Sequence, residues 1–508
     1  MVGPGSPFHV ADWCIFAGYG LALALGGILA RRRARDARDF FVGHGQMPSW
    51  AVALSVLASA LSVASYLGVP EAAYGGDLTY LMANVGTVIA VVIVAWFFIP
   101  RYYRYQVVTV YELIGRSFGP RAKLAASLTF LLGRMLASGA RLFMAAIPAA
   151  AILFGTSEAD VPALIIGVAV LTVVATLYTL SGGITSIIWT DVVQLSVAMG
   201  AVLAVAVVIS CRIPLHWGGI AHLLANAGAA GGSKLRVLNT STDLHVVNTL
   251  WTALSGYLLL NLAVYGTDQD LAQRMLTCKN ALAGGRSALL SIVVNLPITL
   301  LFMCIGLLLY VFYHLDPLVS HVHHPLHSGE HAFISFILYE QPVGMAGLLM
   351  AGLFAIAFTS LLSAINAMAA AVVNDCYRPL RPDTTPAQLL RASRWAVVAS
   401  GLVIGLVAVG CIFWHRASPQ TSLLDFAFTV VVVPYCGMLG IFLTAIFTTR
   451  GNGLSACLAL VGGMAAILVL QRWHQPLAWP WQMVIGTSLS TAICCCGRRP
   501  PLPGPAPS

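Results

Sequence analysis

Charge is what this sequence has least of. Only 9% of its 508 residues are Asp, Glu, Lys or Arg, whereas a soluble domain carries about a quarter. A chain this poor in charge cannot cover itself with water-compatible surface. Other absences narrow the field. The eleven cysteines form no C-x-x-C pair, and most sit in apolar stretches where cysteine is an ordinary small apolar residue. None of the thirteen histidines falls in the middle of an apolar run, which argues against an embedded haem or copper enzyme. The densest group, "HVHHPLHSGEH" (His321 to His331), lies in a connecting loop and reads as metal capture or as a solvated polar loop. Alternating ten-residue strands are missing, so a membrane β-barrel is not expected. No signal peptide is evident, and there is no stretch for a sizeable soluble module.

What remains is apolar. Hydrophobic residues make up 59% of the chain, and its mean hydropathy is +0.86. Runs of 18 or more apolar residues recur, each long enough to span a bilayer. Backbone groups must be satisfied inside the hydrocarbon, so these spans are helices. The chain is therefore expected to be an all-α polytopic membrane protein with about thirteen transmembrane helices, at roughly 10–30, 50–74, 79–99, 122–154, 161–180, 184–211, 245–266, 288–312, 344–374, 395–414, 422–449, 454–471 and 479–496. The residues after Arg499, "PPLPGPAPS", are Pro-rich, and 500–508 are expected to be a disordered tail.

The net charge of +9 invites a nucleic-acid reading, but its distribution opposes one. Most of the Lys and Arg fall in alternate connecting segments, at 31–38, 101–123, 274–286, 378–394, 450 and 498–499. The positive-inside rule then places the N-terminus outside and the C-terminus in the cytoplasm of a multi-pass cell-membrane protein. The surplus positive charge records topology, and the partner is the lipid bilayer.

Ionisable residues inside spans cost about 2.5–3.5 kcal/mol each on insertion scales and are functional candidates by default. Three stand out. Asp191 sits in "GGITSIIWTDVVQ", with Gln194 on the same helical face. Arg134 and Arg141, in "LGRMLASGARLF", are two helical turns apart and share a face. Neither arginine has an acid within four residues. Two such cations call for an anion, and a planar guanidinium suits a carboxylate; pairing with a distant acid, or snorkelling to the surface, is the structural alternative. In "IAFTSLLSAIN", Thr359, Ser363 and Asn366 form one stripe with Ser360 beside it. Uncharged oxygens suit a hard monovalent cation, and small hydroxyl residues equally suit helix packing. The stretch "LSVLASALSVASYLGVPEAAYGG" (54–76) is rich in small residues and interrupted by Gly68 and Pro70, as in the broken helices that build transporter sites.

Together these stretches resemble the sodium:solute symporter family. The carrying motifs are "YTLSGGITSIIWTDVVQ" (178–194), "GTDQDLAQRMLTCKN" (266–280), "FTSLLSAINAMAAAVVNDCYRPL" (358–380) and "GMLGIFLTAIFTTRGNG" (437–453), in order across most of the chain. The resemblance implies a leucine-transporter-like fold of two five-helix inverted repeats, 48–211 and 245–449, with extra helices at 10–30, 454–471 and 479–496. It implies a main sodium site from the backbone oxygens of Ala58, Leu61 and Ile356 and the hydroxyls of Thr359 and Ser360. It also implies a second sodium at Asp191 with the hydroxyls of Thr359 and Ser363, although Leu362 stands where such relatives have serine. The sugar carriers' Asn-x-Ser-x-Glu-Gln run is replaced by "ALSVASY" (60–66), which disfavours a hexose. "LGVPEAAY" resembles carriers of monocarboxylates, vitamins and iodide. "GRM" at 133–135 resembles sialic-acid carriers, which implies that Arg134, or Arg141 in its place, grips a substrate carboxylate with help from Ser62, Ser65 and Asn261. The expected function is sodium-driven symport of a small organic anion by alternating access, without covalent chemistry. A proton-coupled carrier using Asp191 is the rival. Neither the solute nor the oligomeric state is legible.

Overall fold

The computed structural model describes residues 9–29, 41, 45–154, 160–228, 232–315, 332–417, 423–472 and 477–498. The His-rich stretch 321–331, the arginines at 31–38 and the tail 500–508 lie outside them. The regular elements among the described residues are all helices, with isolated bridges only at Met47–Cys278 and Arg450–Arg498. In chain order the helices are α1 (Val10–Leu29), α2 (Ser49–Ala60), α3 (Val63–Gly75), α4 (Leu78–Arg104), α5 (Tyr111–Phe118), α6 (Pro120–Phe154), α7 (Val161–Leu180) and α8 (Ile184–Arg212). There follow α9 (Trp217–Asn226), α10 (Leu250–Gly266), α11 (Gln269–Met275), α12 (Ala281–His314), α13 (Ala332–Tyr339) and α14 (Met345–Leu380). The last are α15 (Pro386–Ala417), α16 (Leu423–Phe447), α17 (Gly453–Gln471) and α18 (Trp479–Cys495).

A helix occupies each of the thirteen expected segments. Among the described residues eight helices are long and apolar enough to cross a membrane unaided, or nine if the bent pair α2–α3 counts as one span. Residues 161–212 are helical without interruption, which would make a rod of about 78 Å if straight. It is not straight. Tyr178 Oη lies 2.7 Å from Thr190 Oγ1, although twelve residues of straight helix would separate them by about 18 Å. The chain therefore reverses near Ser181-Gly182-Gly183, and α7 and α8 form a hairpin.

The centre of the bundle is α14: 89% of its apolar window is buried, against 33% for α17. It packs most extensively on the helical stretch 161–212, α7 and α8 together. Its start is pinned from outside the core. Gly344 adopts a left-handed φ of 91°, which glycine tolerates best. Asp12 of α1 accepts the N–H groups of Gly344 at 3.0 Å and Gly347 at 2.8 Å, where the helix N-terminus favours a carboxylate. The approach is close: a Cβ on Gly347 would meet the Asp12 carbonyl at 2.4 Å.

The break between α2 and α3 is a true interruption. Leu61 (φ −67°, ψ 145°) and Ser62 (φ −142°, ψ 172°) are extended, and the two pieces meet at 62°. The far end of α3 is held by Lys234, whose ammonium donates to the carbonyls of Tyr74 at 2.7 Å and Gly76 at 2.8 Å. The same group lies 4.1 Å from the centre of the Tyr310 ring. A cation at a helix C-terminus is favourable. Burial holds this ammonium's pKa below its usual value, with Asp77 pulling it back up. Lys234→Ala is expected to cost about 1–2 kcal/mol, read as a lower unfolding midpoint in detergent; an unchanged midpoint would show that the cap is dispensable.

Candidate functional site

The helix stop at Ala60 leaves the last carbonyls of α2, Ala58 among them, without the N–H partners that a continuing helix would supply. Those carbonyls and Leu61 are buried beside α14: Ser59 Oγ contacts Ser363 Oγ at 3.4 Å. Ala58, Leu61, Ile356, Thr359 and Ser360 are all buried. The hydroxyls of α14 share a pattern. Thr359 donates to Gln194 Oε1 at 2.5 Å, Ser360 to the Ala357 carbonyl at 3.1 Å and Ser363 to Asp270 Oδ2 at 3.1 Å. Each hydrogen is directed to an acceptor, so each oxygen keeps lone pairs for a cation. The donor set, neutral oxygens with carboxylates nearby, fits sodium by its hardness.

A cavity of about 170 Å³ opens against the break. Leu61, Ser62 and Ser65 form one side, and Arg141 of α6 and Asn261 of α10 face them. Four of the five solute candidates thus meet in one space. Asn84, Thr87, Asn295 and Thr299 add polar atoms to its lining; as single polar residues in apolar spans they gave no pattern to read. Arg141 also borders Ser360 in a small neighbouring void. No carboxylate lies within ion-pair distance of Arg141 among the described residues.

Arg134 is elsewhere. It does not line the cavity. Its Nη1 lies 3.2 Å from Asp268 Oδ2, and its Nη2 contacts Asp270 Oδ2. The structure pairs both terminal nitrogens of Arg134, expected to grip the solute, with protein carboxylates, the arrangement of the distant-acid alternative. Only Nε is buried without a hydrogen-bond partner.

Asp191 is not a lone carboxylate either. Its Oδ2 accepts Arg274 Nη2 at 2.9 Å and the hydroxyl of Ser55, while Oδ1 is buried with no hydrogen-bond partner. Arg274 Nη1 reaches on to Asp270 Oδ1 at 2.7 Å, and Tyr435 donates to Asp268. Asp191 and Ser363, the pair expected to share a second cation, are both bonded to the Arg274–Asp270 ion pair. Two guanidiniums and three carboxylates make one continuous cluster with one negative charge in excess. Burying ions this deeply is costly unless they pair and their remaining donors are satisfied; this cluster does both, apart from Arg134 Nε and Asp191 Oδ1.

Sequence reasoning missed most of this cluster because α11 looks like a loop. All seven of its residues are buried, yet their polarity places them among the connecting segments. One local signal was present: Asp270 and Arg274 are four residues apart, the spacing of a helical ion pair.

Comparison with known proteins identifies the family and the fold. The sodium:solute symporter family profile matches residues 40–464. A sodium/sialic acid symporter of Proteus mirabilis is 26% identical over 96% of this chain and 94% of its own length. The human sodium-coupled monocarboxylate transporter 1 is 27% identical over 91% of this chain and 73% of its own. A solved substrate-bound, outward-open sodium-coupled sialic acid symporter superposes with a TM-score of 0.84 at 24% identity, covering 96% of this chain and 97% of the other. A nucleobase-cation-symport-1 transporter in a closed conformation, 15% identical over 92% of this chain and 95% of its own, gives 0.53. These neighbours share the leucine-transporter fold.

Proposed function

Because the chain belongs to the sodium:solute symporter family, whose members couple solute movement to sodium, we propose that it imports a small organic anion by sodium-driven alternating access, with Arg141 holding the anion. One observation carries the anion: a half-buried guanidinium without a protein carboxylate within ion-pair distance shares a cavity at the helix break with Ser62, Ser65 and Asn261. An arginine so placed offers two parallel donors to a carboxylate. The sialic acid and monocarboxylate relatives favour the same class of solute. The relatives are transporters, and no residue is assigned a covalent step.

The main sodium is assigned to the carbonyls of Ala58, Leu61 and Ile356 with the hydroxyls of Thr359 and Ser360. A second cation is assigned to Asp191 Oδ1 and Ser363, where one buried oxygen has no partner and the ion cluster carries surplus negative charge. The same bare oxygen favours a second reading, a proton in place of that cation. Two core repeats are assigned to 48–211 and 245–449, with the N-terminus outside and the C-terminus cytoplasmic; the segregation of basic residues supports this orientation. Sodium stabilises the form with a complete anion site through its higher affinity for that form.

Uptake of labelled organic acids into proteoliposomes, with sodium replaced by choline at fixed pH, tests the proposal. Uptake should stop in choline; uptake that persists and follows a pH gradient favours the proton. Ser360→Ala should raise the sodium concentration for half-maximal uptake about tenfold, corresponding to about 1.4 kcal/mol. An unchanged sodium curve would remove Ser360 from the site.

A further inference from the structure

Asp270 joins the cation side of the site to the anion side. Its Oδ1 accepts Arg274 Nη1 at 2.7 Å, and through Arg274 it is linked to Asp191. Its Oδ2 accepts Ser363 Oγ at 3.1 Å and is shared with Arg134 Nη2. One fully buried carboxylate thus receives a hydroxyl from α14, a guanidinium from α6 and a guanidinium from its own helix. Arg134 lies on the same face of α6 as Arg141, two turns away.

We propose that Asp270 is the positioning residue that transmits cation binding to the solute arginine. This rests on the reading of Ser363 and Asp191 as cation ligands. A hydroxyl whose oxygen coordinates a cation becomes a stronger hydrogen donor, because bonds involving charge are shorter and stronger. Ser363 has two acceptors within reach, Asp270 Oδ2 at 3.1 Å and the Ser360 carbonyl at 3.2 Å, and a cation on its oxygen favours the charged one. A firmer bond there competes with Arg134 for the same oxygen, and the cation's field repels Arg274 as well. Arg134 keeps Asp268 and loses part of its second counter-ion. Its positive field then adds to that of Arg141 at the cavity.

Charge balance gives the same order of events. The cluster holds one negative charge too many, and one cation neutralises it. Arg141 is then the uncompensated charge, and an anion completes the balance. By linkage the anion must raise cation affinity by the same factor, ordinarily about 5–150-fold. Asp270 makes no contact with the solute cavity, so its effect acts through the arginines.

The test needs sodium alone. Hydrogen–deuterium exchange of the purified protein is compared in saturating sodium and in choline at equal ionic strength. In the wild type, sodium should slow exchange around Ala58 and Thr359 and also change it around Arg134–Arg141, by about twofold or more. In Asp270→Asn the first response should persist and the second should vanish. Arg134→Gln with Asp270→Asn removes one charge of each sign and keeps the cluster's net charge. It serves if the single variant does not fold, and it should also lack the second response. A wild-type response confined to α2 and α14, or a variant that keeps the α6 response, overturns the proposal. So does its return in the charge-balanced double variant, which would mean that Asp270 supplies charge only. Loss of both responses in both variants also overturns it, making Asp270 part of the cation site. A wild type with no sodium response at all sinks the symport reading instead, so the two failures are distinguishable.

Discussion

Arg141→Ala is expected to abolish anion uptake while sodium binding stays measurable. Truncating one partner of a buried, hydrogen-bonded charge pair costs about 2–5 kcal/mol, which at 1.4 kcal/mol per decade is about 30-fold or more in affinity. The fold should survive. Among the described residues Arg141 has no ion pair to lose, and the vacated space adjoins an existing cavity. Arg141→Lys keeps the charge but not the planar fork, so it should fall between the two. Arg134→Ala is the informative contrast. It leaves Asp268 and Asp270 short of a partner, so it should lower stability before it lowers affinity. If folded Arg141→Ala protein transports at the wild-type rate, the anion anchor lies elsewhere.

Arg274→Ala should be the most damaging single change to stability. Arg274 is 1% exposed. It donates to Asp191, Asp270 and Ser55, the last at 2.8 Å. Removing one partner of a buried pair costs about 3–5 kcal/mol, because a charge is left uncompensated. Here Asp191 loses its guanidinium and Asp270 keeps only that of Arg134. The expected readout is a collapsed monodisperse peak on size exclusion and a strongly lowered unfolding midpoint. Arg274→Lys should recover part of the loss, since an ammonium cannot bridge the two carboxylates with separate, fixed donors. A stable, monodisperse Arg274→Ala protein would mean that the cluster is not needed to hold the bundle.

Much of the fold was legible because a membrane span must be apolar along its whole length, and each of the thirteen apolar segments is helical, the one at 50–74 in two pieces. The hairpin at Ser181-Gly182-Gly183 was legible as two spans with almost nothing between them. Within the site, Ser62, Ser65, Arg141 and Asn261 were named by motif and meet in one cavity. The charges on α11 were not legible. Arg274 was placed among the basic residues of a cytoplasmic segment, yet its partner Asp191 is 83 residues away in sequence. Composition reads a short polar segment as solvated, and only three-dimensional pairing reveals that it is inside. The same limit applied to Arg134 and Arg141. Their shared face was readable, but which of them meets Asp268 and Asp270 depends on where α11 enters the bundle.

The tether between Asp12 and the first turn of α14 restricts how the bundle can move. Two N–H bonds from Gly344 and Gly347 converge on one carboxylate oxygen, and the backbones touch there with no room for a side chain. Such a joint permits swivelling about its own position but resists sliding along the helix axis. While this tether holds, motion of α14 is expected to be a tilt about this point, largest at the distal end.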